Sequence, residues 1–225
     1  MTFNALKISI NRLGFARSLA LALLLQVSSG VASAQGGICG DPFANHFGPF
    51  DYRTAPAKTK YAVESHHFTP EVQLMQAGKT TTKATLAGDI AYTLKVFPNH
   101  HSALKTMADW SIKTKRNPPL SSPYTVECWF DRAMRFRPED AMVKMVYGNY
   151  LLQVGRTSEA VAQLTEAAEL EPNNANLHYN LGLAYVKLKR FDDALRSAHI
   201  AYGAGFPLPG LRNLLKRAGV WREPN

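Results

Sequence analysis

Apolar positions recur at helical spacing through much of the second half of the chain. In NLGLAYVKLKRFDDALRSA (180–198), apolar residues lie three and four positions apart on both sides of a polar stretch, LKRFDD. Such spacing is typical of amphipathic helices, and the polar interruption predicts two helices joined by a turn. One helix pair cannot bury its apolar face by itself, so the pattern predicts neighbouring pairs of the same kind.

Prolines mark the boundaries between these predicted pairs. Pro138 and Pro172 are 34 residues apart, and Pro98 precedes Pro138 by 40. Each follows an amphipathic stretch and precedes a new one, as expected where a continuing helix must stop. The six extra residues of the longer interval fall in KRNPPLSSPY (115–124). Its three prolines predict a protruding loop.

Small residues recur at the same offsets in the last two periods. They are Gly148, Ala160 and Ala167 in one period, and Gly182, Ala194 and Ala201 in the next. Gly and Ala allow two helix backbones to approach closely while larger residues fill the flanking space. Together, the 34-residue period and these positions resemble the tetratricopeptide repeat (TPR) family. The resemblance implies a right-handed helical solenoid.

We therefore expect an all-α fold: a short TPR-type helical solenoid preceded by an irregular N-terminal arm. The arm allows one helical piece, at Thr69–Pro70–Glu71. The expected organisation is a signal peptide at 1–34, the arm at 35–86 and a solenoid at 87–221. Within the solenoid we expect a degenerate part at 87–140, clear repeats at 141–174 and 175–208, and a capping helix at 209–221.

The first 34 residues have the pattern of a secretory signal peptide. They contain Lys7, Arg12 and Arg17 and no acid, then the apolar run LALALLLQV (19–27), and they end in Ala-Ser-Ala at 32–34. This order predicts export and cleavage, and hence a periplasmic or secreted protein. The apolar run is shorter than a bilayer span, so no transmembrane segment is expected after cleavage.

The charge of the remaining chain is mild. Without the three basic residues of the predicted signal peptide, 23 of the 26 Lys and Arg residues remain, with 17 Asp and Glu residues, which gives a formal net charge of +6. No long basic run occurs, and with export this argues against a nucleic-acid partner.

Several segments are similar to a group of small exported repeat proteins of Gram-negative bacteria. These are GPFDYR, HHFTPEV, VECWFDRAMRFRPED and GFPLPGLRNLLKRAG. The similarity implies an architecture and brings no activity with it.

The chain has two cysteines, Cys39 and Cys128. In an exported protein an even number is compatible with a disulfide, which here would tie the arm to the helical part. The alternative is a buried Cys128 beside Trp129 and a free Cys39. Two cysteines carry no spacing that decides between these interpretations.

Histidines offer the only candidate metal chemistry. His46, His66 and His67 could converge on a metal or small ligand if the arm folds back. Adjacent histidines point to different faces of an element, however, and no H-x-x-x-H or C-x-x-C spacing occurs. Nothing else suggests a cofactor or a catalytic group. We therefore expect no cofactor and no enzymatic activity.

The remaining candidate is the concave groove that the TPR resemblance implies along the first helix of each pair. The predicted contacts with a partner are Met145, Asn149, Tyr179, Asn180, Leu183 and Lys187. In some family members asparagines at the offsets of Asn149 and Asn180 hold a peptide's terminal carboxylate, but Met145 stands where a cation would be expected. The aromatic arm could instead fill the groove itself.

The sequence thus predicts a non-catalytic periplasmic scaffold or adaptor. It would bind a protein or peptide through the groove as part of an envelope assembly, and a dimer or larger complex is compatible with it. The alternative function is metal or small-ligand binding by the arm histidines.

Overall fold

The computed structural model describes residues 36–76 and 85–223. In these ranges the chain forms eleven helices and no strand. They are α1 Gly36–Cys39, α2 Ala57–His67, α3 Pro70–Gln73, α4 Leu86–Val96, α5 His101–Thr114, α6 Val126–Phe136, α7 Ala141–Gln153, α8 Thr157–Leu170, α9 Ala175–Lys187, α10 Phe191–Gly203 and α11 Gly210–Arg217. Over the same ranges, no helix has the length and apolarity that crossing a membrane requires. The predicted signal peptide lies outside the described residues.

The helices form three consecutive pairs, α5–α6, α7–α8 and α9–α10. Each pair packs on the next, and the first helices α5, α7 and α9 also contact one another in order, as in a TPR-type solenoid. Helix α11 covers the last pair through contacts with α9 and α10. The predicted all-α, TPR-type solenoid is therefore confirmed.

Capping side chains begin the helices that follow the turns. Thr125, Asp140 and Asn174 each accept a hydrogen bond from the backbone N–H three residues further on. Such caps satisfy a donor that the first turn of a helix otherwise leaves free. Two of these caps, Asp140 and Asn174, lie two residues after the prolines that set the repeat period.

The close approach of the helices requires glycine at one position in particular. A Cβ on Gly148 would lie 2.6 Å from Cγ of Leu164, a side chain with no solvent exposure. Gly182 has the same role one repeat later, against Leu211 of α11. The small residues seen in the sequence thus mark the places where helices cross.

The arm contains more helix than the sequence pattern predicted. Helix α3 falls on the expected piece at Pro70, but α2 was not anticipated. Val63 is the only fully buried residue described for α2, so this helix has no apolar stripe from which it could be recognised. Helix α2 packs on α4, and α3 contacts both α4 and α5.

The first part of the arm runs over the second helices of the solenoid. A disulfide joins Cys39 to Cys128 of α6, with the two Cα atoms 4.9 Å apart. The ring of Phe43 then packs on Phe136 at the end of α6, and Phe50 N–H donates to the carbonyl of Val96 at 2.8 Å. The arm is thus attached along the ends of α6 and α4.

The 115–124 loop is tied down although much of it is exposed. Asn117 Oδ1 accepts from the N–H of Val126 at 2.8 Å, and Asn117 Nδ2 donates to Glu127. Pro119 is buried. The loop therefore has a fixed course between α5 and α6.

Candidate functional site

A row of solvent-reached side chains follows the first helices of the two clear repeats. We call this surface the first-helix groove. On each helix three positions recur at helical spacing and at the same 34-residue offset, namely Val146, Asn149 and Gln153 on α7, and Asn180, Leu183 and Lys187 on α9. Four of the six predicted contacts, Asn149, Asn180, Leu183 and Lys187, belong to this row.

The row continues towards α5 through a small cavity of about 50 Å³. It is lined by Lys105, Ala108, Asp109, Val146, Asn149, Tyr150 and Gln153. Lys105 Nζ lies 2.5 Å from Asp109 Oδ2, so the α5 side presents an ion pair next to the amides of α7. Side-chain amides both donate and accept hydrogen bonds, as a peptide backbone does.

Two polar side chains of α9 are already oriented by bonds within the solenoid. Asn180 Nδ2 donates to the carbonyl of Asn176 at 2.9 Å and to its Oδ1 at 3.0 Å. Lys187 Nζ donates to the carbonyl of Leu152 at 3.1 Å, which links α9 to the end of α7. The side-chain oxygen of Asn180 is thus an acceptor that is held in position before any partner binds.

Tyr179 supports the C-terminal cap. Its ring stacks on Phe206 with centroids 4.1 Å apart, and a Cβ on Gly210 would lie 2.5 Å from its hydroxyl. Burial raises the pKa of the Tyr179 hydroxyl above its usual value. This predicted contact is therefore partly engaged in packing.

Met145 is buried in the core and offers a partner almost no surface. It is 5% exposed and packs in a cluster with Val161, Leu164 and Leu177. The groove position on α7 is its neighbour Val146, which the sequence reasoning missed. The 34-residue offset from Asn180 leads directly to Val146 and could have identified it.

The arm histidines do not form a metal site. His66 Nδ1 is bonded to Ala62 O and Ser65 Oγ, and His67 Nδ1 lies 2.9 Å from Asp89 Oδ1. His46 is exposed. Over residues 36–76 and 85–223, no group of three or more His, Cys, Asp or Glu is placed to hold a metal ion. The metal alternative therefore has no support.

Several bonds of the described arm residues go to the second-helix side and its turns. Arg137 Nε donates to Asp51 Oδ2 at 2.8 Å, and Asn99 Oδ1 accepts from the N–H of Tyr52 at 2.9 Å. The Arg53 guanidinium, with Asn99 and Arg137, holds the pKa of the Asp51 carboxyl well below its usual range against the opposing effect of burial. These contacts secure the arm away from the row on α7 and α9.

Part of the chain is similar to known proteins. The model of the TPR repeat family matches residues 148–189. The human protein O-mannosyl-transferase TMTC3 is 27% identical over 105 residues, which cover 47% of this chain and 11% of that protein. The match spans about a tenth of the human protein's length.

Solved structures are similar to the fold. The structure of Pseudomonas aeruginosa PilF has a TM-score of 0.53 and 18% identity, covering 72% of this chain and 70% of that one. A thermophilic TPR protein of Thermus thermophilus has a TM-score of 0.50 and 15% identity, covering 76% and 84%. At such identities the likeness concerns the fold alone. The chain is thus an all-α, TPR-type helical solenoid whose residues 148–189 match the model of the TPR repeat family.

Proposed function

We propose that this protein is a non-catalytic scaffold or adaptor that binds a protein or peptide in the first-helix groove. TPR proteins typically mediate protein–protein interactions, and their solenoid is generally a non-catalytic scaffold. The observation that carries the proposal is the repeated row on α7 and α9, in which amides, a lysine and apolar side chains reach solvent at matching positions.

The position of the arm supports this proposal. Because the described arm residues bond to α4, α6 and their turns, they leave the row on α7 and α9 to another molecule. The groove combines hydrogen-bonding amides with Val146 and Leu183, a mixture that suits an extended peptide with polar backbone and apolar side chains.

The location belongs to the same proposal. The N-terminal pattern of basic residues, apolar run and Ala-Ser-Ala favours export, so we place the protein in the periplasm as part of an envelope assembly. An oxidising compartment would also maintain the bond between Cys39 and Cys128.

The test is capture of the partner in living cells. The chain is expressed with a C-terminal affinity tag, crosslinked in the periplasm and purified, and co-purifying proteins are identified by mass spectrometry. The test variant carries Asn149→Ala, Asn180→Ala and Lys187→Ala. We expect a reproducible envelope protein with wild type and its loss with the triple variant.

The matched control changes exposed residues of the second helices, Glu169→Ala on α8 and Asp192→Ala on α10. It should retain the partner. Equal recovery of the partner by both variants would contradict binding through the groove. Thermal unfolding of each purified variant shows whether any loss comes from misfolding.

A further inference from the structure

A second groove lies between α4 and the 115–124 loop. We call it the loop groove. It has a volume of about 470 Å³ and is lined by Gly88, Ala91, Tyr92, Lys95, Ser121, Ser122 and Pro123. None of these residues belongs to the first-helix groove. The sequence suggested that the 115–124 loop could contact a partner, but it did not predict this groove, because the two walls are far apart in the chain.

One wall carries an exposed aromatic ring that is held in place. Tyr92 is 41% exposed, yet its ring stacks on His67 with centroids 3.9 Å apart. His67 Nδ1 lies 2.9 Å from Asp89 Oδ1, and Asp89 is fully buried. A buried carboxylate thus orients a histidine, which orients the tyrosine. An aromatic ring fixed beforehand loses little conformational entropy when a ligand stacks on it.

The loop wall is also fixed. Ser122 Oγ accepts from Trp129 Nε1 at 3.0 Å and donates to the carbonyl of Tyr124 at 2.7 Å. Ser121 next to it has φ of 68°, in the left-handed region that favours glycine. Backbone strain of this kind persists only where the surroundings enforce it, and it clusters at binding and active sites.

Both walls come from departures from the regular repeat. The loop contains the six residues by which the first period exceeds 34, and His67 belongs to α2 of the arm. A plain helix pair would lack both features. The floor is made of the small residues Gly88 and Ala91, which leave room above α4.

The chemistry of the lining indicates the class of ligand. Among the described residues that line the groove, the exposed Lys95 is the only charged one, so the groove favours an anion. Tyr92 offers a face on which a ring can stack, and Ser121 offers a hydroxyl to a polar ligand. A purely apolar ligand would form neither an ion pair with Lys95 nor a hydrogen bond with Ser121.

We propose that the loop groove binds an acidic sugar. The apolar C–H face of the sugar ring lies on Tyr92, its carboxylate faces Lys95, and its hydroxyls bond to Ser121 and the loop backbone. This site is separate from the first-helix groove and does not depend on a protein partner.

The experiment is an NMR titration of the ¹⁵N-labelled protein with glucuronate. We expect saturable shifts in α4 and the loop. Tyr92→Ala should weaken binding about threefold to tenfold by removing the stacking surface. Lys95→Ala should weaken it up to about fivefold, as expected for an exposed ion pair. Glucose lacks the carboxylate, so it cannot form the ion pair with Lys95. Its affinity for wild type should therefore be lower than that of glucuronate by the same factor by which Lys95→Ala weakens glucuronate binding.

Matched controls are available on α2. Tyr61→Ala removes a tyrosine that is 74% exposed, and Lys58→Ala removes an exposed lysine, and neither lines the groove. Both should bind glucuronate as wild type does. Absence of saturable shifts, equal affinity of Tyr92→Ala and wild type, or tighter binding of benzoate than of glucuronate would each overturn the proposal. Thermal unfolding confirms that the variants compared are folded.

Discussion

Glycine at a helix crossing is decisive at the scale of single residues. A side chain at position 148 would meet Cγ of Leu164 at 2.6 Å and the carbonyl of Ala160 at 3.3 Å. Neither neighbour can move freely, because Leu164 is buried and the carbonyl belongs to the backbone. The helix would gain from losing a glycine, but the crowding outweighs this gain.

Gly148→Ala should therefore lower the free energy of unfolding by about 1–2 kcal/mol, because the cost of overpacking exceeds the gain in helix propensity. Urea denaturation measures the change. Gly203→Ala is the matched control, since a Cβ there meets nothing within 4 Å at the end of α10. It should be neutral or stabilise by up to about 1 kcal/mol. A stabilising Gly148→Ala would contradict the close crossing.

His100 provides a pH-dependent contribution at the same scale. Its Nδ1 accepts from the N–H of Ala103, so the neutral ring donates from Nε2 to Glu64 Oε1 at 3.1 Å. Burial lowers the pKa of His100 from 6.5 to about 4, against the opposing effect of Glu64. The unfolded chain therefore binds a proton at a higher pH than the folded one, and stability falls as the pH falls from 6.5 to 4.

Because of His100, the free energy of unfolding should fall by about 2–3 kcal/mol when the pH is lowered from 7 to about 4.5. His100→Asn, which keeps a capping acceptor without a titrating ring, should lose correspondingly less over the same range. Denaturant unfolding at both pH values gives the comparison. Equal losses in wild type and variant would show that His100 is not the group responsible.

At the scale of elements, the disulfide fastens the arm to α6. Cys39 and Cys128 are 89 residues apart, and closing so long a loop restricts the unfolded chain. Arg135 Nη2 adds a hydrogen bond to the carbonyl of Gly40 at 2.7 Å. The disulfide thus joins the first helix of the arm, α1, to the first helix pair of the solenoid.

Reduction of the disulfide should lower the free energy of unfolding by about 2–4 kcal/mol. Denaturant unfolding with and without dithiothreitol measures this. The double variant Cys39→Ser, Cys128→Ser should resemble the reduced protein and show no response to the reductant. A wild type that is equally stable in both conditions would contradict a stabilising role.

At the scale of the whole molecule, each helix pair is stabilised chiefly by packing on the neighbouring pairs. The core around Trp129 and Phe130 joins α3 to α8, whereas a separate cluster around Leu211 and Leu215 holds α9, α10 and α11 together. In a solenoid each unit depends chiefly on its immediate neighbours. Loss of the cap should therefore act locally.

Leu211→Ala should cost about 2–5 kcal/mol in the last pair, because the side chain is fully buried against Gly182. Hydrogen exchange followed by mass spectrometry should show faster exchange in α9 and α10 and little change in α5 and α6. Lys216→Ala, on an exposed position of α11, is the control. A uniform rise in exchange along the solenoid would contradict nearest-neighbour coupling.

The all-α fold and the TPR-type solenoid could be predicted from the sequence alone. This information is local: the 34-residue period, prolines such as Pro138 and caps such as Asp140 act within a few residues of where they stand. Helical spacing also placed four predicted residues, Asn149, Asn180, Leu183 and Lys187, in one row on α7 and α9, because it fixes which residues share a face.

Other features depend on packing between distant parts of the chain. Packing against α8 and α9 buries Met145, whereas its neighbour Val146 on α7 stays partly exposed. Helix α2, the course of the arm and the loop groove depend on contacts between segments tens of residues apart, as between Tyr92 and His67. No local pattern encodes such pairings, because they arise only when separate parts of the chain pack together.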